Sequence, residues 1–309
     1  MSLLPLRYPS SGPPYVARDG VIVVLFTREN HATLAAKVGA LLDAYLGLVG
    51  LDALQFVAVS EEWKPLTHRR LAQVRRRLSA AAARGLPNEF IELKGGGSEH
   101  DVGAYGFFYV GFDLNAENRE RHACAVELWF PTEVVMQRGL DAFTHDVLEL
   151  ASFVTISSGY CSLAFNIEVS AEMAAERDVT TPLAMRHPGM DLHMIDNTTS
   201  FMGDGVRGAY WLTLLGPAAL GALRLGVEGL REALEDPSIT VYELDHGVAI
   251  RAGDELRPGD VNYGDSLPLT RKVASVIEPV TITQDFAAFG FSGDDPVTRF
   301  LEWQRRHLD

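Results

Sequence analysis

The residues best placed to do chemistry are Glu92 and Lys94, which flank Leu93 at the end of an apolar run through Phe90 and Ile91. An acid and a lysine on alternate positions of a strand end are how a metal-dependent nuclease presents those two groups. Such a site also needs a carboxylate on an adjoining strand to complete a magnesium shell. Between Glu62 and Glu89 there is no acidic residue at all, so Glu92 and Lys94 read as solvated charges and the chain as a non-enzyme. His122 and Cys124 lie two apart on one face of an expected strand, but two ligands do not make a metal site. Ser157-Ser158-Gly159 lacks the flanking glycines of a nucleophile elbow and reads as a turn into the next strand. None of the nine histidines falls in an H-E-x-x-H pattern, and no glycine-rich turn of the dinucleotide or P-loop type is present. No cofactor and no metal are expected.

Tryptophans divide by setting. Trp129 and Trp211 are embedded in apolar runs and read as core. Trp63 follows Glu61 and Glu62 and precedes Lys64-Pro65, a polar turn in which an amphipathic ring can serve as an exposed anchor.

The elements that must position these residues follow from periodicity. Val21 to Phe26 is a β-branched run that reads as a buried strand, and Asn30 is placed to cap a following helix. On that helix Leu34, Val38, Leu41, Leu42 and Tyr45 fall within an arc of about 100°, the stripe a helix buries against a sheet. Leu54 to Val59 is the next strand. Thr67 to Arg84 is a second helix, with Leu71, Val74, Leu78 and Ala82 opposite Arg69, Arg70, Arg76 and Arg77. Gly95 to Gly97 mark a loop, and Tyr105 to Phe112 and Ala123 to Phe130 read as paired strands.

A helical stretch from Pro131 to Phe153 then leads to a strand near Tyr160 to Ile167. A third strand, helix, strand unit runs from Ala209 to Leu215, through Pro217 to Leu234, to Ile239 to Leu244, returning by Asp245-His246-Gly247 to Val248 to Arg251. Asp295 followed by Pro296 starts a last helix through His307. Adjacent strand pairs mixed with helices predict an α+β fold with a mixed, largely antiparallel sheet, in a single domain over 1–309.

Composition sets the class of partner. The 309 residues are 47% apolar and 22% charged, enough to bury a sizeable core. With 27 basic against 41 acidic residues the net charge is −14, so a phosphate backbone is repelled and a basic partner attracted. Cys124 and Cys161 stand outside any disulfide or zinc spacing and are expected as small buried hydrophobes. Met1 to Pro14 holds no continuous apolar stretch of the kind a secretory signal needs, and the richest apolar region, Leu148 to Phe165, is interrupted by polar residues. A cytoplasmic protein outside the membrane is the expectation.

From Arg186 onward the chain carries Arg186-His187-Pro188-Gly189-Met190-Asp191. Val206-Arg207-Gly208-Ala209-Tyr210-Trp211-Leu212-Thr213-Leu214-Leu215-Gly216 follows, then Pro258-Gly259-Asp260-Val261-Asn262 and Leu267-Pro268. In that order and spacing they resemble the type VI secretion immunity family directed against toxins bearing a VRR-NUC nuclease domain. The resemblance covers about 20–282, with 1–19 as a Pro-rich leader and 283–309 as an extension carrying a helix. His187 stands where that family often has an aromatic, and Tyr210 where it often has Asn.

The resemblance implies an immunity protein that binds a cognate nuclease toxin and occludes its active site, doing no chemistry itself; the alternatives are a metal-dependent enzyme using Glu92 and Lys94, or a non-catalytic scaffold that kept the fold. Pro188, Gly189, Asp191, Gly208, Trp211, Gly259, Asp260 and Asn262 then read mainly as fold-makers, since glycine and proline preset turns and Asp and Asn bond neighbouring amides. The contacts expected to meet the toxin are Glu61, Glu62 and Trp63, with Asp294 and Asp295 as secondary choices.

Overall fold

The computed structural model describes residues 7–10, 12–59, 62–84, 88–99, 101–115, 117–167, 173–192, 195–283, 291 and 293–308. Strands begin inside the stretch read as a leader: β1 (Arg7–Ser10) pairs antiparallel with the first part of β2 (Gly12–Thr27). Along β2 the side chains alternate between two cores. Val21, Val23 and Leu25 join one apolar cluster and Ile22, Val24 and Phe26 another, all at most 1% exposed. A strand covered on both faces has no reason to alternate polar and apolar residues, hence the unbroken run.

Helix α1 (His31–Val49) begins where Asn30 accepts the Ala32 N–H at 3.2 Å. Its five stripe residues, Leu34, Val38, Leu41, Leu42 and Tyr45, are fully buried in the cluster that holds Val21. Among the described residues this 19-residue helix, rather than Leu148 to Phe165, is the helix long and apolar enough to cross a bilayer by length and composition. Its apolar face is spent on the sheet.

Next come β3 (Phe56–Val59), β4 (Glu62–Pro65), α2 (His68–Arg84), β5 (Asn88–Lys94), β6 (Gly106–Phe112) and β7 (Cys124–Phe130). On α2, Leu71, Val74 and Leu78 are buried while Arg69, Arg76 and Arg77 are exposed, a solvated basic face as expected. The helix expected to run to Phe153 is broken into α3 (Thr132–Arg138) and α4 (Leu140–Ser152), because Gly139 between them takes φ +86°.

The remainder comprises β8 (Ile156–Ile167), α5 (Met173–Arg186), β9 (Met190–Leu192), α6 (Ile195–Thr199), β10 (Leu212–Leu215), α7 (Pro217–Leu223) and α8 (Val227–Ala233). It closes with β11 (Ile239–Leu244), β12 (Gly247–Ala252), α9 (Pro268–Ile277) and α10 (Pro296–Gln304). Here too one expected helix is two, parted where Arg224 adopts a left-handed conformation at φ +56°.

All the strands join one open sheet in the order β11-β12-β10-β8-β2-β7-β6-β5-β3-β4, with β1 beside β2 and β9 beside β8. Every pairing is antiparallel except β8 with β9. The fold is α+β, as the pattern of elements predicts. In none of the three strand, helix, strand units do the two strands bond each other: β7, β6 and β5 lie between β2 and β3, β2 between β7 and β8, and β12 between β10 and β11.

Candidate functional site

Register brings together residues that are scattered in sequence. Glu92 of β5 faces Phe108 of β6, which faces Glu127 of β7, so the three form one rung across the sheet. One step along, Lys94 faces Gly106 and Gly106 faces Trp129. Gly106 contributes no side chain, and a Cβ there would stand 3.2 Å from Trp129 Cδ1. These residues border a cavity of about 260 Å³, reached also by Glu62, Trp63, Ala58 and Tyr105. Trp63 arrives because β4 pairs antiparallel with β3, placing it opposite Ala58.

Inside the cavity the polar groups are tightly held. Glu127, 1% exposed, accepts the Trp129 Nε1–H at 2.7 Å. Lys94 donates to the Glu99 carbonyl at 2.8 Å and its Nζ sits 4.2 Å from the centre of the Trp63 ring. One expectation is corrected here. Trp63 stands on an edge strand, half-buried beneath Lys94, rather than on a polar turn. The strands that pair with β5, β3 and β6, carry no carboxylate; Glu62 and Glu127 border the same cavity from β4 and β7, each two strands away. Among the described residues no group of three or more His, Cys, Asp or Glu side chains is arranged to hold a metal ion.

Glu62 is exposed and its carboxyl is held below the usual range by the hydrogen bond and charge of Lys64, 2.5 Å away. Glu61 lies outside the described residues. Asp295 caps α10, accepting the Thr298 N–H at 3.0 Å and its hydroxyl at 2.7 Å, and Asp294 is exposed beside it. Neither lines the cavity.

Ser157, Ser158 and Gly159 lie within β8 rather than in a turn, where Ser158 Oγ donates to the Gly205 carbonyl at 2.9 Å. A Cβ on Gly159 would meet the Val24 carbonyl at 2.7 Å, so glycine lets β8 close on β2. Cys124 and Cys161 are fully buried; burial pushes the Cys124 thiol up to about 11 and the Cys161 thiol higher still. His122 precedes β7, its pKa lowered by burial and then by the neighbouring Arg121 and Arg28.

The motif residues converge on one another. Arg186 forks onto Asp260, with Nε 3.0 Å from both carboxylate oxygens and Nη2 2.6 Å from Oδ2. His187 Nδ1 lies 2.7 Å from the Gly259 carbonyl, and the Gly189 N–H donates to Pro258 at 2.8 Å. Gly259 takes φ +66°, and a Cβ on Gly189 would stand 2.2 Å from the Arg257 carbonyl. Asp260 Oδ1 accepts the Asn262 N–H at 3.0 Å. Gly208 takes φ +153°, and Trp211 Nε1 donates to the Gly253 carbonyl at 3.1 Å. At the tip of the same turn Val261 and Tyr263 are 50% and 83% exposed. Tyr263 carries no signal in the sequence, since a lone aromatic beside a glycine gives no sign of its exposure.

Behind this knot lies a buried polar network. Asp191, on β9, accepts from Tyr160 Oη at 2.7 Å, Tyr210 Oη at 3.2 Å and Arg207 Nη1 at 3.0 Å. Arg207 also donates to the Leu192 carbonyl at 3.1 Å and to Tyr160 Oη. The two phenol rings stack with centroids 4.0 Å apart. Burial pushes Tyr210 up to about 12 and Tyr160 well above its ordinary value. Burial opposes charge on Arg207, but Asp191 and the two phenols more than offset it. Arg306, beyond α10, lies 4.0 Å over Trp303 and 5.5 Å over Tyr210, and its Nε donates to the Pro188 carbonyl at 2.7 Å.

The fold is thus α+β, with an open, almost wholly antiparallel sheet and a turn at residues 258–262 locked onto 186–191. Matching the family model for type VI immunity for VRR-NUC over residues 37–307, the chain belongs to that family. The match runs through the last helix, which therefore lies inside the family pattern. Among solved structures, the Pseudomonas aeruginosa T6SS protein PA0821 has a similar fold, with a TM-score of 0.80 at 18% identity, covering 99% of this chain and 88% of that one. No curated protein matches the sequence.

Proposed function

We propose that this protein neutralises a cognate type VI nuclease effector in the cytoplasm by docking on it and occluding its active site, with no catalysis of its own. The family match over 37–307 carries the reading. The net charge of −14 supports it, because an enzyme that grips DNA presents a basic cleft, and complementary charge speeds encounter and fixes orientation. Charge alone does not hold a complex, which also needs a desolvated anchor. Glu62 and Trp63, on an edge strand of the sheet, supply an acid and an aromatic side by side, with Glu61 preceding them. Asp294 and Asp295 are the secondary contacts.

In this reading the motif residues Pro188, Gly189, Asp191, Gly208, Trp211, Gly259, Asp260 and Asn262 hold the fold rather than the toxin. The Glu92 and Lys94 pair has no better standing as a catalytic site, since Lys94 is occupied by Glu99 and Trp63. The test is co-purification and calorimetry with the nuclease encoded beside this gene, together with a DNA-cleavage assay. Stoichiometric loss of cleavage is expected. Absence of binding at low salt and micromolar concentrations removes the proposal.

A further inference from the structure

We infer that the cavity between β4 and the β5–β7 rungs is a socket for an arginine side chain of the partner nuclease; this rests on the immunity reading and gives it a contact. The volume limits the occupant. At about 260 Å³ the cavity falls below the roughly 300–1,000 Å³ of small-molecule sites, so it suits one long side chain better than a metabolite. Its walls select charge. Glu62, paired with Lys64 at 2.5 Å, Glu92 and Glu127 line it together with the ammonium of Lys94.

The chain itself shows that a cation is accommodated there, for Lys94 Nζ rests 4.2 Å over the Trp63 ring. Aromatic faces from Trp63, Phe108 and Trp129 border the same space. A guanidinium is planar, weakly hydrated and forked, so it stacks on an aromatic face while bonding a carboxylate edge-on, which an ammonium does less well. Gly106, opposite Lys94 and Trp129, lets the Trp129 ring lie close against the sheet at the wall of this space. Position also fits, since Glu62 and Trp63 stand on the outermost strand at that end of the sheet, where an incoming protein has access.

The experiment has two arms. In the first, N-acetyl-arginine methylamide and its norleucine counterpart are titrated while the tryptophan indole N–H signals are followed by NMR. The arginine amide is expected to shift the Trp63 and Trp129 signals, the norleucine amide to leave them, and Glu92→Gln to abolish the shift. In the second, Glu92→Gln, Trp63→Ala and Ala58→Leu, which fills the cavity without touching a charge, are tested for binding the neighbouring nuclease. Each is expected to weaken binding at least tenfold while the melting temperature stays within a few degrees of wild type. If wild type binds the nuclease and all three variants bind it equally, the socket is wrong and the immunity reading stands. If wild type does not bind the nuclease but the arginine amide still shifts both indoles, the immunity reading fails and the guanidinium site stands. If neither binds, both fall.

Discussion

Arg207 and Asp191 form an ion pair 3.0 Å across with side chains only 3% and 0% exposed, and two tyrosine hydroxyls complete the carboxylate's hydrogen bonds. Removing one partner leaves a buried charge without its counter-ion, which costs about 3–5 kcal/mol. Asp191→Asn is therefore expected to lower unfolding stability by that amount in urea titrations followed by tryptophan fluorescence. The double variant Asp191→Leu/Arg207→Met is expected to lose less than Asp191→Asn alone, because it strands no charge.

The turn that locks residues 258–262 against 186–191 makes a sharper demand at Gly189 than at Gly259. Gly259→Ala places an ordinary side chain at φ +66°, a cost of about 1–2 kcal/mol. Gly189→Ala drives a methyl to within 2.2 Å of a carbonyl oxygen, and the backbone must move to admit it. Thermal melts are expected to rank Gly189→Ala below Gly259→Ala and both below wild type.

His307 is 5% exposed, and burial, followed by the charges of Arg306 and Arg271, holds its pKa well below the ordinary value. His31, fully buried against Tyr109, is lowered by burial too. A lowered histidine pKa means that the folded protein favours the neutral ring, so the unfolded chain binds the extra proton. The stability contributed by keeping these rings neutral is complete above about pH 6.5 and is lost as pH falls from there towards the folded pKa values. Urea midpoints measured from pH 7.5 to 5.0 should fall, and His307→Gln should flatten that slope.

Association with a basic nuclease is expected to slow as salt rises, since steering over a net charge of −14 is screened within about 10 Å at 0.1 M. Stopped-flow rates are expected to drop about tenfold or more between 20 mM and 500 mM salt. The dissociation rate, set by packed contacts such as Trp63, is expected to change far less.

What could be read from residues alone follows a physical divide. Helix α1 was legible because its stripe and cap are local, and the sheet type because strands arrive in adjacent runs. The breaks at Gly139 and Arg224 were not, since an apolar face continues through each and only backbone conformation ends the helix. The cavity was hidden for another reason: Glu62, Glu92 and Glu127 border one space only through a strand order and register that pairing, not spacing, decides. Arg306 escaped notice because its significance lies in what it stacks on, Trp303 and Tyr210.

Val24 bonds alongside Glu127 on one side and Tyr160 on the other. Its partner strands end at Phe130 and Ile167, so one edge of this early strand stays bare until more than half the polypeptide has been synthesised. Such non-local pairing folds slowly and leaves aggregation-prone surface open in the interval.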